Sequence, residues 1–460
     1  MFAWNRWYSI KSYLSSALWT VPLFALVAGR IVKFLSEKLG AWMDERGIYG
    51  LNTTYLGLNA AEANAFLDRM FTMNLSFLVF TFGSLLVAIQ IAGGQYTPRI
   101  IATTLLRDNV IRWIVGLFMF SLIWGNRTMV QISSTVVPQF QVFMAASLAI
   151  ASLIAFLLLI DYSAKLLRPV SLVCRVGEQG IEVIESIYPS ATRHDYMPPV
   201  IPKKRIWNIF SRRAPQASAA TAPGVRRGPP DRDVYHKGKS AIVLAVNVKR
   251  LVSMAQAADC VIEVVPQVGD FLAAEDSLFH VYGNVSAIDD RRLRELVAIG
   301  SERTMEQDPM FAFRIEVDIA LKALSPAIND PTTAVLAIDQ LHRLLRLVGQ
   351  RSLRKNEITD DEGQPRVIFR TPNWEDFVHM TFREIRQCGA GSLQVARRLR
   401  AVIENLLETL PQHRHVALQQ ELALLDRALV RLHLIPEDLA LARIADSQGL
   451  GGESSAQMQE

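Results

Sequence analysis

Four apolar runs occupy the first third of the chain, and helical and alternating patterns divide the remainder. Ser12 to Gly29 is apolar and uncharged behind Arg6 and Lys11, a pattern shared by signal peptides and first membrane helices. The small-x-small cleavage pattern is poor around Ala25 to Gly29 and three more apolar runs follow, so a span is the simpler reading, with Pro22 as a candidate kink. Met70 to Ala92 is long enough to cross a bilayer of about 30 Å at about 1.5 Å per residue. The third run has only Trp113 to Asn126 between Arg112 and Arg127, about 21 Å of helix, so it must continue past Arg127. Arg127 then either snorkels to the headgroups or lines a polar path. The fourth run starts after Pro138 and ends at Asp161 and Lys165. The expected spans are 12–33, 68–92, 110–132 and 138–162. Between the second and third, Gly93-Gly94 ends a helix and Thr97-Pro98 caps a short interfacial one. Arg99 beside it reads as a lipid-phosphate contact or as part of a gate.

Behind the spans, Pro169 to Tyr188 reads as a juxtamembrane helix. Ser240 to Val246, Cys260 to Val265 and Leu278 to Tyr282 read as strands, with a helix from Val248 to Ala258. From Asp290 the pattern is helical, broken by Ser352 to Asn373, where Arg366 to Arg370 reads as a short strand. The fold class that follows is an α-helical membrane domain of four transmembrane helices and then an α+β cytoplasmic domain, with a small β-containing module and a carboxy-terminal helical bundle. The expected divisions are a membrane domain at 1–168, a juxtamembrane helix at 169–192, a linker at 193–239, an α/β module at 240–300, a helical domain at 301–446 and a disordered tail at 447–460.

The densest local signals lie from Glu306 to Asp339. Asp308-Pro309 and Asp330-Pro331 each place a capping carboxylate before a proline at the first helical position, so two helices should start there and form a hairpin. Arg314, Asp318 and Lys322 recur every four residues on the first helix, either as a salt-bridge ladder or as a site. Ser325-Pro326 breaks that helix, and Asn329 suits a left-handed or turn conformation. Arg314, Asp318, Lys322, Asn329 and Asp330, with Arg99 and Arg127, are the ligand or gating candidates. Asp308, Asp318, Asp330 and Asp339 would meet around a divalent cation only if the hairpin folds back on itself.

Composition adds the compartment. The chain has 460 residues, 50% of them apolar, and a net charge of +5, beyond one ordinary domain and too apolar for a purely soluble one. The stretch 193–239 holds eleven basic residues and seven prolines, a disordered tether suited to anionic lipid; nucleic acid is not expected. Cys174, Cys260 and Cys388 lack metal spacing and their odd number argues against a disulfide framework. Eight lysines and arginines flank the spans on the side of the amino terminus against five on the other, which places both termini in the cytoplasm. No Walker loop, dinucleotide fingerprint, zincin motif or nucleophile elbow occurs, and His413 and His415 do not share a helical face, so no catalytic residue or cofactor is indicated.

Gln95-Tyr96-Thr97-Pro98-Arg99, Arg303-Thr304, Gln307-Asp308-Pro309 and above all the run from Lys322 to Ala334 resemble the bacterial domain-of-unknown-function 2254 family of predicted membrane proteins. The likeness reaches from the first span to about Leu432. It implies an inner-membrane protein with a large cytoplasmic part and brings no activity, cofactor or catalytic residue. One departure is Gly238-Lys239-Ser240, where the family tends to show a Gly-Tyr pair entering the first strand. The expected function is that of an oligomeric, channel-like or transport-related inner-membrane protein with a cytoplasmic sensing or gating domain. The alternatives are a membrane-tethered scaffold recruiting partners through its cytoplasmic helices, and a metal-dependent hydrolase.

Overall fold

The computed structural model describes residues 4–16, 19–45, 58–95, 108–132, 137, 139–166, 168–188, 228–353, 356–433 and 435–451. The amino end does not form one span over 12–33. It forms α1 (Trp4–Ser16) and α2 (Thr20–Glu45), and Pro22 lies in the first turn of α2, where a missing N–H breaks no intrahelical bond. Pro22 therefore belongs to a helix start and not to a kink. Among the described residues the next helices are α3 (Ala60–Gln95), α4 (Asn109–Gln131) and α5 (Gln139–Leu166). Among the described residues three stretches are long and apolar enough to cross a membrane, Ala60–Ile91, Asn109–Gln131 and Phe140–Lys165, whereas the apolar part of α2, Thr20–Val32, is shorter.

α2 runs parallel to α4, because Val21 and Ala25 lie against Gly116 while Gly29 lies against Phe120 and Ile123. Small residues at this contact let the two backbones approach, and the opposite side of α2 exposes Leu23, Phe24, Val27 and Ile31.

α6 (Pro169–Ile187) carries the chain into a helical body made of α9 (Pro309–Ala323), α10 (Pro331–Gly349), α11 (Trp374–Gly389), α12 (Leu393–Thr409), α13 (His415–Leu432) and α14 (Pro436–Ala442). One apolar core runs from the ends of the membrane helices, at Leu85, Ile111, Val115 and Leu159, through Leu172, Val173 and Val176 of α6 to Ile315, Leu344 and Phe377. α6 packs so closely that a Cβ on its Gly180 would lie 2.9 Å from Ala312 and 3.0 Å from Leu344.

The mixed module between α6 and α9 holds strands β1 (Arg232–Tyr235), β2 (Ala241–Val246), β3 (Cys260–Val264), β4 (Phe271–Leu272), β5 (Ser277–Gly283) and β6 (Val297–Gly300) with the helices α7 (Val248–Ala258) and α8 (Asp290–Arg294). Between α10 and α11 come β7 (Glu357–Thr359) and β8 (Pro365–Phe369). One sheet has the order β4-β2-β6, the other β1-β5-β3-β8-β7, with β3 and β8 parallel and Ile262 opposite Val367. Two expected divisions therefore move. β1 comes from the stretch read as tether, and β7 and β8 join the module from within the helical region.

The carboxy end also differs from the expected frayed tail. Asp446 accepts backbone bonds from Gln448, Gly449 and Gly451, and Arg397 and Arg398 donate to the carbonyls of Ile444, Ser447 and Gly451, which pins the chain to α12 as far as Gly451. Residues 189–227, most of the basic tether, and 452–460 lie outside the described residues.

Candidate functional site

The joint between membrane helices and body is polar and is organised by the first turn of α4. Asp108 caps that helix, accepting from the amides of Val110 and Ile111 at 2.9 and 3.3 Å. Its other carboxylate oxygen accepts from the Tyr162 hydroxyl on α5 and from Arg175 on α6 at 2.6 Å, and Arg175 donates to the Tyr162 oxygen at 2.9 Å. Burial works against the charge on Arg175, but these hydrogen bonds outweigh it and raise its pKa above the usual arginine value. One turn further, Arg112 donates to the Leu14 carbonyl and the Thr20 hydroxyl, fixing the break between α1 and α2. Asp108 and Arg112 thus tie α1, α2, α5 and α6 to one turn of α4. In the sequence Arg112, Lys165 and Arg175 stand only as charges flanking spans; a lone aspartate before an apolar run, with a tyrosine at the end of the next one, is the available signal.

The sequence candidates do not gather. Asp308 and Asp330 cap α9 and α10 as their Asp-Pro pairs predict, accepting from Phe311 N at 3.2 Å and Thr333 N at 3.0 Å. Asn329 takes the left-handed conformation, φ 47°, and the turn around it is exposed. Arg314 bonds Asp318 at 2.5 Å and, bidentately, Glu384 of α11 at 2.5 and 3.1 Å, so two of the three stripe residues form a ladder that a third helix completes. Lys322 is exposed, with no partner for its ammonium among the described residues. Arg127 is exposed near the far end of α4, and Arg99 lies outside the described residues. The four aspartates are separately engaged, Asp308 by Arg303, Asp318 by Arg314, Asp330 by Thr333 and Asp339 by Arg398 at 2.7 Å. Among the described residues no three acidic, histidine or cysteine side chains form a group able to hold a metal ion.

The motif residues around Asp308 hold the module to the helical body. Gln307 accepts from the backbone of Val246 in β2 at 3.0 Å, and the Arg303 guanidinium lies over the Phe311 ring at 5.5 Å while pairing with Asp308. Burial nevertheless pushes the Asp308 carboxyl above the usual range.

Two buried features escaped the sequence reading. Glu316 is 0% exposed and neither carboxylate oxygen has a hydrogen-bond partner among the described residues; burial raises its pKa well above the ordinary value. On the helical wheel it stands between Ala312, Phe313, Ile319, Ala320 and Ala323, all buried, and that apolar ring around one acid was visible in the sequence.

The second feature lies among the spans. Asn74, Ser121 and Ser152 are fully buried, and Asn74 Oδ1 and both serine hydroxyls lack partners among the described residues. Met70 lies against Gly125 and Phe77 against Phe118, a ring distance of 5.8 Å, so the antiparallel register sets Asn74 opposite Ser121. Phe77 also stacks on Phe156 at 4.1 Å, and Ser152 is one turn back on the same face of α5. All three oxygens sit near the middle of their candidate spans.

Candidate spans continuous with a mixed helix and sheet body define a membrane protein with a large domain beside its spans. The chain belongs to the family described as predicted membrane protein (DUF2254), whose model matches residues 15–405. It is 24% identical over 457 residues to the uncharacterized protein Rv1290c of Mycobacterium tuberculosis, a match that covers 95% of this chain and 81% of the relative. The uncharacterized protein Mb1321c of Mycobacterium bovis gives the same identity and coverage. No solved structure matches the chain.

Proposed function

We propose that the protein is an oligomeric, channel-like or transport-related protein of the bacterial inner membrane, whose soluble body senses a cytoplasmic signal and gates the spans. The observation that carries the reading is the level of unpartnered oxygens at Asn74, Ser121 and Ser152. Polar groups without partners cost several kcal/mol each in a hydrocarbon layer, so a row at mid-depth is expected where a polar solute or water is handled. The Asp108, Tyr162 and Arg175 cluster supplies the coupling, since movement of α6 against the body pulls directly on the ends of α4 and α5. In this reading α2 is a fourth membrane helix beside α4, both termini are cytoplasmic, and the basic tether lies on anionic lipid at about 1 kcal/mol per basic residue near the surface.

The test is flux of ions and small neutral solutes into vesicles containing the purified full chain. Wild type should conduct, and Asn74→Leu or Ser152→Ala should change the rate in protein that still folds. No flux at any pH, voltage or osmotic step would overturn the reading.

One observation favours a second reading, a scaffold that recruits a partner protein. Val430 and Leu432 near the end of α13 and Ile435 just before α14 are each more than half exposed. Capture of one reproducible partner, abolished by Leu432→Glu, would support it.

A further inference from the structure

We infer that α1 is an interfacial helix that lies on the cytoplasmic surface of the bilayer and clamps the α/β module to it. The inference rests on the membrane-spanning reading of α3 to α5, and not on transport.

α1 has two faces with different tasks. Trp4 and Tyr8, one turn apart, pack on the cluster of Leu244, Ala245 and Ala298 in the three-stranded sheet, and the Asn5 amide donates to the Glu295 carbonyl at 3.3 Å. The other face presents Trp7, Ile10 and Leu14, which are 54%, 48% and 42% exposed. At 3.6 residues per turn these three fall within about 60° of the helix surface, and Arg6 and Lys11 lie about 40° beyond its two edges. Both basic side chains are exposed, and the Lys11 ammonium sits 5.3 Å from the Trp7 ring centre.

An exposed tryptophan and two large aliphatic residues between basic flanks match the surface that a lipid interface covers. The rings and aliphatic groups enter the headgroup and acyl boundary while the cations meet lipid phosphates. Position fixes the occupant. Arg112 holds the carboxy end of α1, through the Leu14 carbonyl, to the first turn of α4, so the helix begins its run at the level where a candidate span starts. Trp19, exposed at the turn between α1 and α2, stands at the same level. The sheet behind α1 is thereby held at a fixed height above the membrane, and a change in lipid packing that tilts α1 moves β2 and β6 with it.

The test uses the full chain in vesicles of phosphatidylcholine and phosphatidylglycerol. Nitroxide labels are placed singly at Trp7→Cys, Ile10→Cys and Leu14→Cys in a Cys388→Ser background, with the unsubstituted background signal subtracted. Exposed Val79 on α3 and exposed Val416 on α13 serve as lipid and water references. Collision with oxygen relative to a water-soluble nickel complex should be several-fold higher at 7, 10 and 14 than at 416. Values equal to those at 416, with 79 still lipid-like, would overturn the inference alone. Water-like values at 79 as well would overturn the membrane-spanning reading with it. Shielding of all three α1 labels from both reagents would identify a protein partner on this face and overturn the lipid assignment.

Discussion

Arg175 on α6 donates to Asp108 at the start of α4 at 2.6 Å, and through this pair a helix of the helix-and-sheet body grips the entrance of a candidate membrane helix. The Asp108 side chain is buried while Arg175 is part-exposed, so the two substitutions should differ. Asp108→Ala removes a helix cap and strands a guanidinium and a tyrosine hydroxyl; a loss of about 3 kcal/mol is expected. Arg175→Ala should cost less, because water reaches that side. Thermal denaturation of the two single variants and the double variant in detergent checks this, and additive losses would refute direct coupling.

Glu316 should make the helical body less stable as pH rises. Its folded pKa lies above the unfolded value of about 4.3, so above that pH the unfolded chain has lost a proton that the folded chain keeps. Stability then falls by at most about 1.4 kcal/mol per pH unit until the folded pKa is reached, and below about pH 4.3 this contribution is fully present. Glu316→Gln should flatten the dependence. A pH series of denaturation midpoints in which the variant and the parent run parallel would exclude a neutral carboxyl at this position.

Gly180 is expected to tolerate no side chain. Gly180→Val would drive a branched side chain into Ala312 and Leu344 and force α6 from the α9–α10 hairpin, at about 1–3 kcal/mol for overpacking. Protease sensitivity near α6 should rise even where the variant folds. Unchanged digestion would show that the helices separate without strain.

The hairpin turn makes a sharper distinction. Asp330→Ala should cost about 1 kcal/mol, and Asp330→Asn should restore most of it, because the amide oxygen still accepts from Thr333 N. A folded Asp330→Asn chain that loses biological activity in a complementation assay would show that the charge has a task beyond capping.

Local chemistry was the legible part of this sequence. The Asp-Pro starts of α9 and α10, the left-handed Asn329 and the helix from Val248 to Ala258 follow from caps, turns and periodicity, and each has the bounds those signals give. Pairings across long separations were not legible. Glu384 completes the Arg314 ladder from another helix, β8 joins a strand of a module placed earlier in the chain, and Arg397 and Arg398 order a glycine-rich end whose composition reads as a frayed tail. The break between α1 and α2 was hidden for a different reason. The apolar run that starts in the last turn of α1 continues into α2, and Arg112, far away in sequence, bonds the Leu14 carbonyl on one side of the break and the Thr20 hydroxyl on the other.

The parallel pairing of β3 with β8 also sets an order of events at the ribosome. Ile262 is made roughly 100 residues before its partner Val367, and at about 5–20 residues per second that interval is about 5–20 s. During it the nascent sheet has an open edge at β3, beside spans that have already been synthesised, while α9 and α10 are still emerging. A premature stop between Gly349 and Pro365 would therefore release a protein with every candidate span present and an unpaired strand edge, a substrate for membrane quality-control proteases instead of a shortened working form.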